Sequence, residues 1–179
     1  ALRDGGAAIL AKTVTTEFGA ADPGPTRNPF DITRTPGGSS SGTSAAVGAA
    51  MVPAGTGSQV RGSILRPASW CGNYALKPTF GALNRLGGHS MSPSQSVLGT
   101  QAGTLADCWA MAFYISSTAG GDPGHPGLYG EPALGVARKP ARLIRLDTLG
   151  WQDTEDETKA LFEAFLGALS DQGVEIVAR

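Results

Sequence analysis

Two glycine- and serine-rich segments constrain what this chain can fold into more than any other feature. Gly37-Gly38-Ser39-Ser40-Ser41-Gly42 leads into a run of tiny residues at 43–52, TSAAVGAAMV. Gly55-Thr56-Gly57-Ser58-Gln59-Val60-Arg61-Gly62-Ser63 follows it. The chain holds 26 glycines, and here they cluster with Ser, Thr and Ala. Glycine permits positive φ and close approach of one backbone to another, which tight functional loops need and ordinary cores do not. Flexible linkers share this composition, so the decision rests on what the segments are set among.

A chain of 179 residues is long enough for one domain with a real core. Its formal charge of −1 argues against a nucleic-acid binder or a polybasic membrane-surface protein, which need an excess of Lys and Arg. No apolar run approaches a membrane span, and no charged-then-apolar leader opens the chain. Cys71 and Cys108 lack the close pairing of a zinc or redox motif and read as two reduced, buried thiols of a cytoplasmic protein. Both ends read as cut. Ala1 opens in what looks like a helix tail over 2–8, and 174–177 reads as a strand lacking its neighbours. The expectation is a single partial domain over 1–179.

Along the chain, 8–14 (AILAKTV) suits a buried strand, and 22–38, rich in Pro and without periodicity, is a loop. Residues 43–52 read as a closely packed helix ended by Pro53. A glycine-bearing turn over 55–62 should enter a short helical stretch at 63–70. Residues 74–77 and 80–83 are candidate strands around a Pro78 turn. Helix is predicted over 104–116, with Thr104 and Asp107 resembling a capping box, and 122–132 is a Pro/Gly loop. A strand at 143–146 precedes the clearest helix, 154–172, where Ala160, Leu161, Ala164, Phe165 and Leu169 recur at three- and four-residue steps and Gly173 closes. Strand-helix alternation places the chain in the α/β class.

The chemistry points to serine. A serine hydroxyl is a poor nucleophile until a base takes its proton, and acyl transfer also needs N–H groups aimed at the developing oxyanion. Ser63, ending a glycine-rich turn at a helix start, offers exposure together with N–H groups free of intrahelical partners. A second serine-rich turn packed against it could relay the proton. The phosphate-cradle alternative for 37–42 lacks the Gly-Lys-Ser/Thr ending of a P-loop. Gly38-Ser39-Ser40-Ser41-Gly42 also matches the G-x-S-x-G elbow of α/β-hydrolases, with Ser40 as nucleophile and His89 or His125 as base, but 31–36 is a poor strand to precede it.

GGSSSGTSAAVGAA, GSQVRGSILRPASWCG and ALKPTFG, in this order and spacing, resemble the amidase signature. Its usual form is GGSSGG, a small-residue helix, then GSDxGGSIRxPAxxCGxxGxKPTxG, with Gln for Asp in some members. Upstream, AILAKTVTTEFG with Lys12 is similar to GKTNxxEF, and SPSQSVLGTQAGTLAD is similar to SPSxDxxGPxxxxxxD. The likeness covers residues 5–115 and implies the central part of an α/β/α sandwich around a mixed β-sheet, incomplete here. It further implies amide hydrolysis through an acyl-enzyme by a Ser–cis-Ser–Lys triad, with Ser63 as nucleophile and Ser39 as bridging serine after a cis peptide. Backbone N–H groups of Val60, Arg61, Gly62 and Ser63 would form the oxyanion hole. A small-molecule amide is the implied partner, without nucleic acid, membrane, metal or organic cofactor; a homo-oligomer stays open, and no substrate-binding residue is assigned.

The family's lysine lies well upstream of GGSSGG, in a stretch with no counterpart here. Lys12 matches the GKTN lysine instead, and Lys77 belongs to the KPT segment and reads as structural. The chain alone is therefore expected to be inactive or very weak, which leaves room for a non-catalytic or amidotransferase-type subunit. Other departures are Ser41 and Ala75 for glycines, Gln59 for Asp, and Leu65 for an Arg that follows one place late as Arg66. Arg61 stands where Gly or Ala is usual. It would be strained at positive φ; otherwise its charge would favour an oxyanion or an acidic substrate. His89 and His125 fall outside every motif and read as surface or loop residues.

Overall fold

The computed structural model describes residues 1–88 and 91–179, so the expectation for His89 lies outside the described residues. The chain packs as two compact units, Ala1–Leu134 and Gly135–Arg179.

In the first unit, β1 (Ala54–Gln59), β2 (Tyr74–Leu76) and β3 (Val97–Ala102) form an antiparallel sheet in the order β1-β3-β2. Helices α1 (Ser41–Gly48), α2 (Leu65–Trp70) and α3 (Leu105–Ala119) accompany it. Most of the segment expected to be a turn at 55–62 is strand β1, paired from Ala54↔Ala102 to Gln59↔Val97. Its sequence, AGTGSQ, has neither β-branched alternation nor an apolar face, so the pairing with β3 makes it a strand. A side chain at Gly57 would place its Cβ 2.6 Å from Ser40 Oγ; without one, the serine-rich turn lies directly on the strand. Gly99 in β3 performs the same service for β2, since a Cβ there would collide with the Leu76 carbonyl oxygen.

Helix α1 begins two residues before the expected span and ends at Gly48, well ahead of Pro53. A left-handed Ala50 (φ 56°) ends it, with Met51 N–H donating to Ala46 O and Ala50 N–H to Val47 O, both at 2.9 Å. Four small polar or glycine positions of α1 (Ser41, Gly42, Thr43 and Ser44) are buried with Val47, which fits the close packing read from its composition. Thr104 caps α3 by accepting from Asp107 N–H at 3.0 Å. In place of a reciprocal bond to the Thr104 backbone, the Asp107 carboxylate accepts from the threonine hydroxyl at 2.6 Å. Leu83, Ala112 and Ile115 form a core cluster, with Leu76, Leu98 and Met111 packed against it. Cys71 and Cys108 are free thiols and fully buried.

Three expected elements of this unit are absent. Residues 80–83 form a turn, Ala82 N–H donating to Thr79 O at 3.0 Å, although Ala82 and Leu83 are buried. Residues 8–14 join no ladder and leave Ile9 and Leu10 exposed; the chain instead lies across the serine turn, Gly42 N–H donating to Val14 O at 2.8 Å. Residues 2–8 hold turns instead of a helix tail.

The second unit is β4 (Arg142–Arg145), α4 (Asp156–Asp171) and β5 (Glu175–Ala178), the two strands parallel from Arg142↔Glu175 to Arg145↔Ala178. Parallel neighbours require a crossover, which α4 provides. Gly173 at φ 80° closes α4 as expected: Val174 N–H donates to Leu169 O and Gly173 N–H to Ser170 O. Helices and strands are interspersed along both units, and the chain is of the α/β class.

Candidate active site

The two glycine-serine segments meet. Ser40 N–H donates to Ser63 O at 3.2 Å, joining the turn before α1 to the turn before α2. The peptide bond Gly38–Ser39 is cis, at the position singled out by the motif. Ser39 is held by its backbone, its carbonyl accepting from Thr16 N–H at 3.1 Å. It is 7% exposed, and among the described residues its hydroxyl has no hydrogen-bond partner. The Ser63 hydroxyl is likewise unpaired among the described residues, and Ser63 is only partly buried.

Gln59 organises the turn between them. Its carboxamide oxygen accepts from Ile64 N–H at 2.7 Å and Leu65 N–H at 3.0 Å, while its Nε2 donates to Arg61 O at 3.1 Å. Gln59 is 3% exposed, and its bond to Ile64 N–H is buried, out of reach of competing water. The N–H groups of Ile64 and Leu65 are thereby engaged. Those of Val60, Arg61, Gly62 and Ser63 donate to no other group among the described residues. A turn whose orphan N–H groups stay free is suited to receive an anionic oxygen. Arg61 is not among the residues with positive φ, so an arginine is accommodated there without backbone strain, and its side chain is exposed.

Further support comes from residues that the motif comparison did not single out. Gln101, fully buried in β3, donates to Ile64 O at 3.1 Å and accepts from Ser44 Oγ at 2.5 Å, tying α1 to the start of α2. Arg66 donates from Nε and Nη2 to Gly38 O at 3.2 and 2.7 Å. Gln59 and Arg66 stood out in the sequence only as departures from a pattern, and Gln101 and Thr16 carried no signal.

Neither lysine of the first unit joins the serines. Among the described residues neither Lys12 nor Lys77 is hydrogen-bonded to Ser39 or Ser63, and Lys77 donates to Pro78 O at 2.9 Å. Ser40 is buried and faces β1, its Oγ 3.5 Å from Ser58 O. Residues 31–36 ahead of it contain no strand, so the strand-turn-helix elbow is absent. His125 sits on an exposed loop with its ring edge against Phe80, centroids 5.3 Å apart, which agrees with a loop residue. Among the described residues no group of three or more His, Cys, Asp or Glu could hold a metal ion. Two surface cavities, of about 370 and 550 Å³, are lined by neither Ser39 nor Ser63.

A sequence profile described as Amidase matches residues 1–178. Among curated proteins, a glutamyl-tRNA(Gln) amidotransferase subunit of Thermus thermophilus is 40% identical over 124 residues, covering 66% of this chain and 26% of that protein. Among solved structures, the peptide amidase PAM in complex with the competitive inhibitor chymostatin superposes with a TM-score of 0.79 at 30% identity, covering 99% of this chain and 40% of that one. The corresponding amidotransferase subunit of Thermotoga maritima gives a TM-score of 0.78 at 28% identity, covering 99% and 41%. The chain thus spans about a quarter of the length of its curated relatives and two fifths of these solved ones.

Proposed function

The chain belongs to the amidase family, and from that premise we propose that it carries the acylating part of a serine amidase site, with Ser63 as nucleophile and Ser39 as proton relay. The observation behind this reading is the run of free N–H groups over Val60, Arg61, Gly62 and Ser63 beside a buried, unpaired Ser39 hydroxyl. Family membership supports amide hydrolysis as the type of activity. The profile match over 1–178 supports treating both compact units as parts of one partial amidase domain.

In the proposed reaction, Ser63 Oγ attacks the carboxamide carbon and its proton passes to Ser39 Oγ, which gives its own proton to a neutral lysine. The C–O bond forms as the carbonyl electron pair moves onto oxygen, where the free N–H groups stabilise it. Collapse breaks the C–N bond, the lysine proton returns through Ser39 to the leaving nitrogen, and ammonia or an amine departs. Water then repeats the sequence on the acyl-serine, releasing the acid and restoring Ser63. Every step is proton transfer or acyl transfer, so the mechanism calls for no metal or organic cofactor. Because neither Lys12 nor Lys77 is bonded to Ser39, the base is proposed to be a lysine outside these 179 residues, and the chain alone to be inactive or very weak.

Fluorophosphonate labelling, with the modified residue located by peptide mass spectrometry, tests the reading. Ser63 should be labelled in the chain extended to the length of its relatives, and not in the 179-residue chain. Labelling of Ser40, or of neither serine in the extended protein, would falsify it. The curated relative named an amidotransferase subunit favours a second reading, in which the released ammonia is passed on instead of lost. Free ammonia produced by the extended chain without any other subunit would favour the first.

A further inference from the structure

Arg66 links the two serines in a way that the proposed mechanism does not use. Its backbone belongs to α2, shortly after Ser63, and its N–H donates to Gly62 O at 2.8 Å. Its guanidinium reaches back across 28 residues of sequence to the Gly38 carbonyl, with Nε at 3.2 Å and Nη2 at 2.7 Å. Gly38 O is the acceptor immediately before Ser39, and the peptide unit it belongs to carries the Ser39 nitrogen. Ser39 is thus fixed at both ends, by Arg66 on the preceding carbonyl and by Thr16 N–H on its own. Ser40 N–H on Ser63 O closes the circuit. A forked, charge-assisted donor fixes both direction and distance, which a single neutral bond does not.

We propose that Arg66 is a positioning residue for the proposed acyl transfer: it holds the Gly38 carbonyl so that the Ser39 hydroxyl stays in register with Ser63. The proposal rests on the serine amidase reading above. It also assigns a use to an arginine that stands one place away from the position expected by the motif. A guanidinium whose Nε and Nη2 both donate to Gly38 O is engaged in holding the loop. On this proposal its removal should disturb neutral and anionic substrates alike. A misplacement of about 1 Å between reacting groups costs on the order of 100-fold in rate.

The test uses Arg66→Ala and Arg66→Lys with two readouts. In NMR spectra of the 179-residue chain, Arg66→Ala should shift the Gly38 carbonyl and Ser39 amide resonances, leave Ala112 and Ile115 in α3 in place, and be partly reversed by Arg66→Lys, which keeps one charged donor. In the extended protein, Arg66→Ala should slow fluorophosphonate labelling of Ser63 by about 10- to 100-fold, lower kcat with little change in KM, and do so equally for neutral and anionic amides. Arg66→Lys should recover part of the loss. Unchanged Gly38 and Ser39 resonances would overturn the proposal, and so would a loss confined to anionic amides or expressed in KM alone. If those resonances respond but wild-type Ser63 is never labelled, the amidase reading itself falls and takes the role assigned to Arg66 with it.

Discussion

At the scale of single residues, Cys71 shows what burial under the serine turn does to an ionisable group. It is fully buried, its Sγ 3.5 Å from Pro36 O, and burial pushes its thiol from the ordinary 9.0 up to about 11. Between these values the unfolded chain gives up a proton that the folded chain keeps, so rising pH favours unfolding. The thiol's contribution to stability is complete below pH 9, declines through the interval to pH 11, and is gone above it. Urea unfolding at pH 8, 9, 10 and 11 should therefore show the stability advantage of wild type over Cys71→Ala shrinking by about 2 kcal/mol across that range, since one pKa unit corresponds to about 1.4 kcal/mol. Parallel curves for the two proteins would mean that the thiol ionises as freely folded as unfolded. Cys108, also raised by burial, is present in both proteins and drops out of the difference.

At the scale of elements, the sheet around β3 depends on glycine in places where a side chain would meet rigid backbone. Gly99 lies between β1 and β2, where a Cβ would strike the Leu76 carbonyl oxygen and approach Ile64 Cδ1 at 2.7 Å. The Leu76 oxygen is backbone of β2 and Ile64 is fully buried, so relieving the clash requires β2 to move off β3 or the Ile64 side chain to repack. Gly99→Ala should destabilise the fold by about 2–3 kcal/mol in spite of alanine's better intrinsic propensity, as measured by chemical denaturation. A neutral or stabilising result would mean that β2 and β3 can separate at no cost. Neither β1 nor β3 was legible in the sequence. AGTGSQ and VLGTQA carry neither the alternation nor the β-branched density that marks a strand, and what makes them strands is the partner, which a local pattern does not contain. Helices α3 and α4 were legible because a capping threonine, a closing glycine and a 3.6-residue period are local signals. At the site, motif order brought Ser39 and Ser63 into view. The bonds from Gln59 and Arg66 that shape their surroundings depend on side-chain reach across space, and in the sequence these two residues show only as exceptions to a pattern.

At the scale of the whole molecule, α4 presents large apolar side chains to solvent. No residue of α4 is buried, and Leu161 and Phe165 are 68% and 58% exposed. They stand four residues apart, hence on one face of the helix, with Phe162 partly exposed beside them. The period that identified α4 as an amphipathic helix therefore describes a face with little to cover it among the described residues. Contiguous exposed apolar surface of this kind binds amphiphilic dyes. The chain at neutral pH should enhance anilinonaphthalene sulfonate fluorescence, and replacing both Leu161 and Phe165 with Glu should remove a large part of the enhancement. Because both side chains face solvent, the double substitution should change stability by no more than about 0.5 kcal/mol and leave the helical circular dichroism intact. Loss of helix in the double variant would show instead that the two side chains are packed in solution. Unchanged dye fluorescence would place the sticky surface elsewhere, with exposed Ile9, Leu10 and Phe30 of the first unit the next residues to replace.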